Sequence, residues 1–302
     1  MNSLLAMRVF VALVQARSFS GAGQALGMSH SSVSRQLTQT EAALGVALVN
    51  RSTRRFSLTH AGERYHRHCV DILARIDAMA DTIADEREHP VGPLRVSVPL
   101  AVGTLELSAW LPAFRLRYPD IDLTLSCSDP FVDLLTEGVD LALRISSAPL
   151  PDSGLMAKRL TASDTVLVAS PTYLSQYGLP RTPNDLASHQ CLRFAGASSP
   201  DTWRLADSDG ATHHVALGGG FTTDAITALY AASLAGAGIA AFTGHTVRAA
   251  LAYGTLVRVL PQYSLGRSHY YALYPRTRHV NARVRAFIDF MAEHYREAQS
   301  IA

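Results

Sequence analysis

The chain has 302 residues, 48% of them hydrophobic and 17% charged, with a formal net charge of +2. That apolar content is too high for a disordered or low-complexity chain, and at about 150 residues per domain it predicts two or three domains with cores of their own. Three widely spaced cysteines, Cys69, Cys127 and Cys191, exclude a disulfide framework and fit a reducing compartment, with Cys127 and Cys191 expected inside buried strands.

The small net charge hides two unequal parts. Residues 1–70 carry eight arginines against Glu41 and Glu63, a balance of +6, whereas the remainder holds 19 basic and 23 acidic residues, a balance of −4. Affinity for a polyanion therefore belongs to the N-terminal region. Lys158 is the single lysine among 27 basic residues, a bias of genome composition rather than chemistry.

Leu4 to Ala16 is rich in apolar groups, but Arg8 interrupts it and no basic stretch precedes it. It reads as an amphipathic helix with Phe10, Leu13 and Val14 inward rather than as a secretory signal, which predicts a cytoplasmic protein.

Between Ser18 and Leu26, Gly21, Ala22 and Ala25 make a compact helix, and Gly27 supplies the permissive backbone for a sharp turn. A second helix follows, capped by Ser29 or Ser31, with Val33, Leu37 and Leu44 on one face and Gly45 as its stop. Its other face is polar, and His30, Ser31, Ser34, Arg35 and Thr38 project together near its N-terminus. Val46 to Val49 and Phe56 to Leu58 predict two short strands joined across Asn50, Arg51, Ser52, Thr53, Arg54 and Arg55.

This order is that of a winged helix-turn-helix, whose second helix enters the major groove while a basic wing lies along phosphates. The candidate DNA contacts are Ser20, Ser29, His30, Ser31, Ser32, Ser34, Arg35, Gln36, Thr38 and Gln39, with Arg51, Thr53, Arg54 and Arg55 in the wing. Arginine reads guanine bidentately, and hydroxyls serve bases or phosphates. The competing reading is a helical unit that merely packs; the arginine balance favours DNA.

Leu58 to His89 predicts one long helix in which Tyr65, Cys69, Ile72, Ile76, Met79 and Ile83 recur at spacings of four and three. We read this stripe as a dimerising coiled-coil seam in preference to a face docked on the chain's own domain. Pro90, Gly92 and Pro93 end the helix and mark a linker.

Leu94–Val98, Ile121–Ser126, Val139–Ile145 and Thr165–Ala169 then read as strands, with helical spacing over Thr104–Tyr118 and Phe131–Gly138. The expected fold is α/β with a mostly parallel sheet. Ile226 to Gly244 has the length of a membrane span, but its Ala, Ser, Thr and Gly content, with Gly236 and Gly238, predicts a helix, a stop and a buried strand Ile239–Phe242. Tyr270–Tyr274 and His279–Ala298 predict a final strand and a helix with Val284, Phe287, Ile288 and Met291 inward.

With Ser34, Arg35 and Gln36 in the second helix, Leu44–Gly45, Arg51, and Leu58-Thr59-x-Ala61-Gly62, the N-terminus resembles the LysR-type transcriptional regulators. Leu94-Arg95-Val96-Ser97, Leu111-Pro112, Phe114, Tyr118-Pro119, Glu137-Gly138-Val139-Asp140-Leu141 and Arg144 resemble that family's effector domain. Ala169-Ser170-Pro171, Tyr173-Leu174, Asp185-Leu186-Ala187 and His189-Gln190-Cys191-Leu192 resemble its large proteobacterial subgroup. His30 and Ser31 stand where many members carry Gln-Pro, and Thr40 replaces a usual apolar residue.

The resemblance implies a winged DNA-binding domain over 1–59, a linker helix over 60–89 and an effector domain over 92–302. That domain would comprise two subdomains like those of periplasmic binding proteins, 92–162 with 269–302 and 163–268, and the effector would lie in the cleft between them. It also implies a dimer that assembles to a tetramer, an interrupted palindromic operator and contact with RNA polymerase. No cofactor, metal or membrane partner is expected.

Candidate effector contacts are Pro99, Leu100, Ala101, Val102, Gly103 and Thr104, which follow a strand and lead into a helix, a place suited to an anionic group. Thr222, Thr223 and Asp224 precede the Ala-rich helix in the same way. Phe131 is a further candidate. Arg144 either pairs with a ligand carboxylate or holds Asp129 or Asp133 in a structural ion pair. Phe194, Trp203 and Phe221 either line the cleft or belong to the core.

Enzyme motifs are missing: there is no phosphate-binding Gly-x-x-x-x-Gly-Lys, no His-Glu-x-x-His and no Gly-x-Ser-x-Gly. His66 and His68 splay on a helix and His213–His214 lack partners in sequence, so neither pair reads as a metal site. A transport-type solute-binding protein and an enzyme with an unfamiliar site both leave the basic N-terminus without a role.

Overall fold

The structure, a computed structural model, describes residues 3–50, 56–84, 90–129, 138–150, 153–197, 201–207, 209–218, 220–276 and 280–300. Three helices open it: α1 (Ser3–Ala16), α2 (Phe19–Leu26) and α3 (His30–Leu44). Ser18 caps α2 by accepting the Gly21 N–H at 3.0 Å. Ser29, not Ser31, caps α3, accepting the Ser32 N–H at 3.2 Å. Gly27 and Gly45 close the two helices at φ 63° and 67°, where a side chain would be strained.

Val9, Phe10, Leu13, Ala22, Val33, Leu37 and Leu48 form the core of this unit. Leu44 does not join it: as the last residue of α3 it projects past the core and is 46% exposed. Thr40, one turn earlier, is buried at 2% exposure, its hydroxyl donating to the Gln36 carbonyl at 2.8 Å. The expected wing strands reduce, among the described residues, to a single bridge between Val49 and Leu58, extended by the Asn50 N–H to Ser57 O at 2.9 Å.

Helix α4 (His60–Ala84) packs back on α1. The Tyr65 ring lies 5.2 Å from Phe10, and Cys69 and Leu73 are buried. Tyr65 and Cys69 therefore leave the expected seam, because the face they share with Leu73 is already covered by the chain's own helices. Ile72 stays 38% exposed and Ile76 half-buried; the side chains of Met79 and Ile83 lie outside the described residues.

The remainder is α/β. Strands β1 (Gly92–Val98), β2 (Ile121–Cys127), β3 (Leu141–Ser146), β4 (Leu155–Ala169), β9 (Ala240–Thr243), β10 (Val257–Val259) and β11 (Arg267–Pro275) form one sheet in the order β10-β4-β11-β3-β1-β2, with β9 also on β4. Only β1–β2 and β1–β3 are parallel in it. The sheet is mixed rather than mostly parallel because the returning strand β11 inserts between β3 and β4, antiparallel to both. The stretch 130–137, expected to be helical, lies outside the described residues.

Strand β4 joins two cores. Its Leu155–Asp164 portion pairs with β11, beside a core of Val96, Trp110, Phe114, Tyr270, Phe287 and Met291 formed with α5 (Leu107–Arg117) and α9 (Ala282–Ser300). Its Thr165–Ala169 portion pairs with β9 and β10. There α6 (Pro171–Tyr177), α7 (Ile226–Leu234) and α8 (Gly244–Ala252) surround a second body of buried residues, including Leu167, Tyr173, Leu205, Leu229 and Phe242. Two small sheets complete that half: β5 (Arg193–Phe194) with β8 (Thr222–Thr223), and β6 (Thr202–Ala206) with β7 (Thr212–Ala216).

Cysteine placement departs from expectation at one position. Cys191 is buried, but Cys127 is exposed, because it ends β2, the edge strand of the sheet. Burial of its surroundings still raises the Cys127 thiol, and pushes Cys69 and Cys191 to about 11.

Candidate nucleic-acid interface and effector cleft

The start of α3 concentrates hydroxyls. Ser29 Oγ lies 3.0 Å from Ser31 Oγ and 2.8 Å from Ser32 Oγ, while the Thr38 hydroxyl donates to Ser34 O at 3.1 Å. Burial of Val33, Leu37 and Thr40 turns Ser31, Arg35, Thr38 and Gln39 to solvent, with Ser34 and Gln36 half-buried at the sides. His30 is exposed but leans on Phe19 at 5.5 Å between ring centres, and Ser20 is exposed on α2. The exposed helix face, one positive charge and a row of hydroxyls, matches the chemistry of base edges and phosphates. The wing candidates Arg51, Thr53, Arg54 and Arg55 lie outside the described residues.

The turn after β1 is a π-helical segment, Ala101–Leu105, held by Trp110 Nε1 donating to Val102 O at 3.2 Å. Pro99, Ala101, Val102 and Gly103 are buried, and Thr104 is exposed with its hydroxyl turned back to Leu100 O. Within this stretch, read as suited to an anionic ligand group, the Leu100 amide donates to Asp129 Oδ1 at 2.9 Å. Arg144 is 4% exposed and donates to Ser97 Oγ at 3.1 Å and Leu143 O at 2.6 Å. It thus sits where the parallel strands β1 and β3 end.

On the other half, Thr222 and Thr223 form β8, and Thr223 Oγ1 accepts the Ala225 N–H at 3.1 Å ahead of α7; Asp224 is exposed. The π-helical turn contacts both α7 and α8, so the two candidate stretches border one junction. Phe194 and Trp203 pack on the cores of the second half, while Phe221 is 38% exposed. Phe131 and Asp133 lie outside the described residues.

Residues 4–63 match the family model described as "Bacterial regulatory helix-turn-helix protein, lysR family", and residues 87–296 match "LysR substrate binding domain". The chain belongs to the LysR family of transcriptional regulators. It is 36% identical to the regulator CrgA of Neisseria meningitidis over 288 residues, 95% of each chain. The solved structure of CrgA superposes with a TM-score of 0.61, covering 96% of this chain and 97% of that one at 36% identity. The full-length structure of AphB, the Vibrio cholerae virulence activator, gives 0.59 at 30% identity over 96% and 99% of the chains. As a LysR-type protein, the chain is a DNA-binding regulator of transcription whose action is modulated by a small-molecule effector. Among its described residues no helix is long and apolar enough to cross a membrane.

The contacts that several residues make in this LysR-type architecture are not readable from the sequence. Glu41 Oε1 accepts the Leu48 N–H at 2.7 Å and the Val49 N–H at 3.2 Å, tying the recognition helix to the neck of the wing. Thr59 both accepts the Gly62 N–H at 3.0 Å and donates to Ala47 O at 2.7 Å. A Cβ on Gly62 would stand 2.0 Å from Leu48 O, which explains why the Leu58–Gly62 motif ends in glycine. Glu106, buried at the junction, has no local sequence signal at all. A charged residue four positions from a tryptophan looks like any exposed helix start.

Proposed function

We propose that α3 reads operator DNA through Ser31, Arg35, Thr38 and Gln39, with Ser20, Ser29, His30, Ser32, Ser34 and Gln36 supporting backbone contacts and the 51–55 arginines tracking phosphates. The carrying observation is that the buried stripe of α3 turns this polar face outward while Ser29 fixes the start of the helix. A helix so anchored presents its N-terminal side chains to a groove without rearrangement.

Two copies pair through α4 over Ile72, Ile76, Met79 and Ile83, and pairs of dimers form a tetramer on an interrupted palindrome whose half-sites follow the helical repeat of about 10 bp. RNA polymerase is the downstream partner, and the protein acts on the chromosome in the cytoplasm. The domain limits are 1–59, 60–89 and 92–302, the last divided into 92–162 with 269–302 and 163–268. β4 and the antiparallel return of β11 support that division.

The effector is an organic anion whose carboxylate meets Arg144, with Thr104, Thr222 and Thr223 as polar partners; no cofactor takes part. Arg144, rather than the Leu100 amide, carries the anion preference, since Asp129 occupies that amide. Nuclease footprinting of the full chain on upstream chromosomal fragments tests the reading: two protected half-sites in register are expected. Uniform affinity for random and upstream fragments would refute it.

A further inference from the structure

Helix α8 meets the first half of the α/β region through a buried polar cluster that effector binding does not explain. Glu106, just ahead of α5, is fully enclosed. Its Oε1 accepts from the Thr246 hydroxyl at 2.9 Å and Tyr270 Oη at 3.2 Å, and its Oε2 from Tyr295 Oη at 3.0 Å. Thr243, the cap of α8, lies 2.6 Å from Tyr270 Oη and 2.9 Å from Thr246 Oγ1. Four elements, from both halves, thus converge on the first turn of α8.

His245 sits at the centre. Its amide donates to Ser163 Oγ on β4 at 3.2 Å, and its ring stands 5.4 Å from Tyr270 on β11 and 5.0 Å from Tyr295 on α9. Its Nε2 is buried without a hydrogen-bond partner. A positive charge on this ring would be partly desolvated and beside like charge.

We propose that the first turn of α8 is clasped onto the first half around a neutral His245, and that proton uptake by this imidazole loosens the clasp, making the arrangement of the two halves acid-responsive.

The charged groups around it agree in sign. Burial foremost, and then Arg248 on α8 and His294 on α9, oppose a charge on His245 and hold its pKa down to about 4 from 6.5. His294 is lowered too, by burial and Arg248, with Glu297 acting weakly the other way. On the β4 and β11 side, Asp164 is engaged with Arg267 at 2.9 Å. Glu106 works in the opposite direction, since burial favours its protonated form inside the clasp. It is present in wild type and variants alike, so their difference isolates the imidazole.

For a group held at about 4 when clasped and 6.5 when released, the released fraction rises about tenfold between about pH 7.5 and about pH 5.5. Hydrogen exchange of the full chain, normalised to intrinsic rates, reads this at the amides of residues 244–252. On acidification over this range, protection there in wild type is expected to fall about tenfold relative to that in the His245 variants. His245→Phe, which keeps the ring packing, and His245→Gln, which keeps a polar side chain, both lack the titrating ring and are expected to show only the response that Glu106 and His294 carry. The proposal is overturned if wild type and either variant change in protection alike over this range. Neither outcome touches the assignment of α3 to DNA.

Discussion

Glu41 and Leu48 meet across the turn that leaves the recognition helix, carboxylate to amide, at 2.7 Å. With the second bond to Val49 at 3.2 Å, one side chain ties the C-terminal half of α3 to the Val49–Leu58 bridge that follows it. Hydrogen bonds to a charged acceptor contribute about 1.5–3 kcal/mol each in partly buried settings. Glu41→Ala is therefore expected to destabilise the N-terminal unit by about 2 kcal/mol or more. Glu41→Gln, whose amide oxygen still accepts, should fall between the two in a thermal unfolding series. Equal melting of all three proteins would remove Glu41 from this role.

Gly62→Ala tests the close approach of α4 to the neck of the wing. The new methyl would overlap backbone, not a movable side chain, at 2.0 Å from Leu48 O. Overpacking of this kind costs about 1–3 kcal/mol or more, and the displaced wing should weaken DNA binding beyond the stability loss. An alanine variant that folds and binds like wild type would show that the contact relaxes freely.

Glu106 predicts a pH dependence of stability with a definite sign. Burial raises its pKa from 4.5 in the folded chain, against the lowering effect of three hydroxyl donors and Arg248. Its contribution is fully present below 4.5 and is lost as pH rises through the raised value. Glu106→Gln removes that dependence, so the variant should gain on wild type as pH rises across this window. Parallel unfolding curves for the two proteins would contradict the buried, raised carboxyl.

The helices of the N-terminal unit were legible in the sequence because their limits rest on local chemistry. Ser18, Ser29, Gly27 and Gly45 cap or stop a helix whatever lies beyond it. What stayed hidden depends on partners distant in the chain. Thr40 is polar yet buried, because Gln36 satisfies its hydroxyl, and no hydropathy stripe reveals that. Leu44 fits the stripe but stands past the end of the core.

The sheet shows the same limit. Most of its strands are visible as apolar runs, though Leu155–Asp164 of β4 and all of β10 are not, and the mixed direction is set by β11 entering between β3 and β4, a pairing across more than a hundred residues of chain. Cys127 is exposed for the same reason, since only sheet order reveals that β2 is an edge. The stripe from Tyr65 to Ile83 carries two overlapping faces, and spacing alone does not separate the one that docks on Phe10 from the one left open. Where the two halves meet, the Pro99–Thr104 turn and Arg144 could be placed at strand ends from the sequence, whereas the Glu106 cluster draws its members from four separated segments.

The central claim is that the outward face of α3 reads DNA, and Arg35→Ala tests it most directly. Binding of wild type and variant should be titrated against the protected operator and its single-base variants at several salt concentrations. The account predicts a loss of about 1–3 kcal/mol on the wild-type operator, with discrimination erased at one base pair and retained elsewhere. Unchanged affinity and unchanged base preference in the Arg35→Ala protein would contradict it.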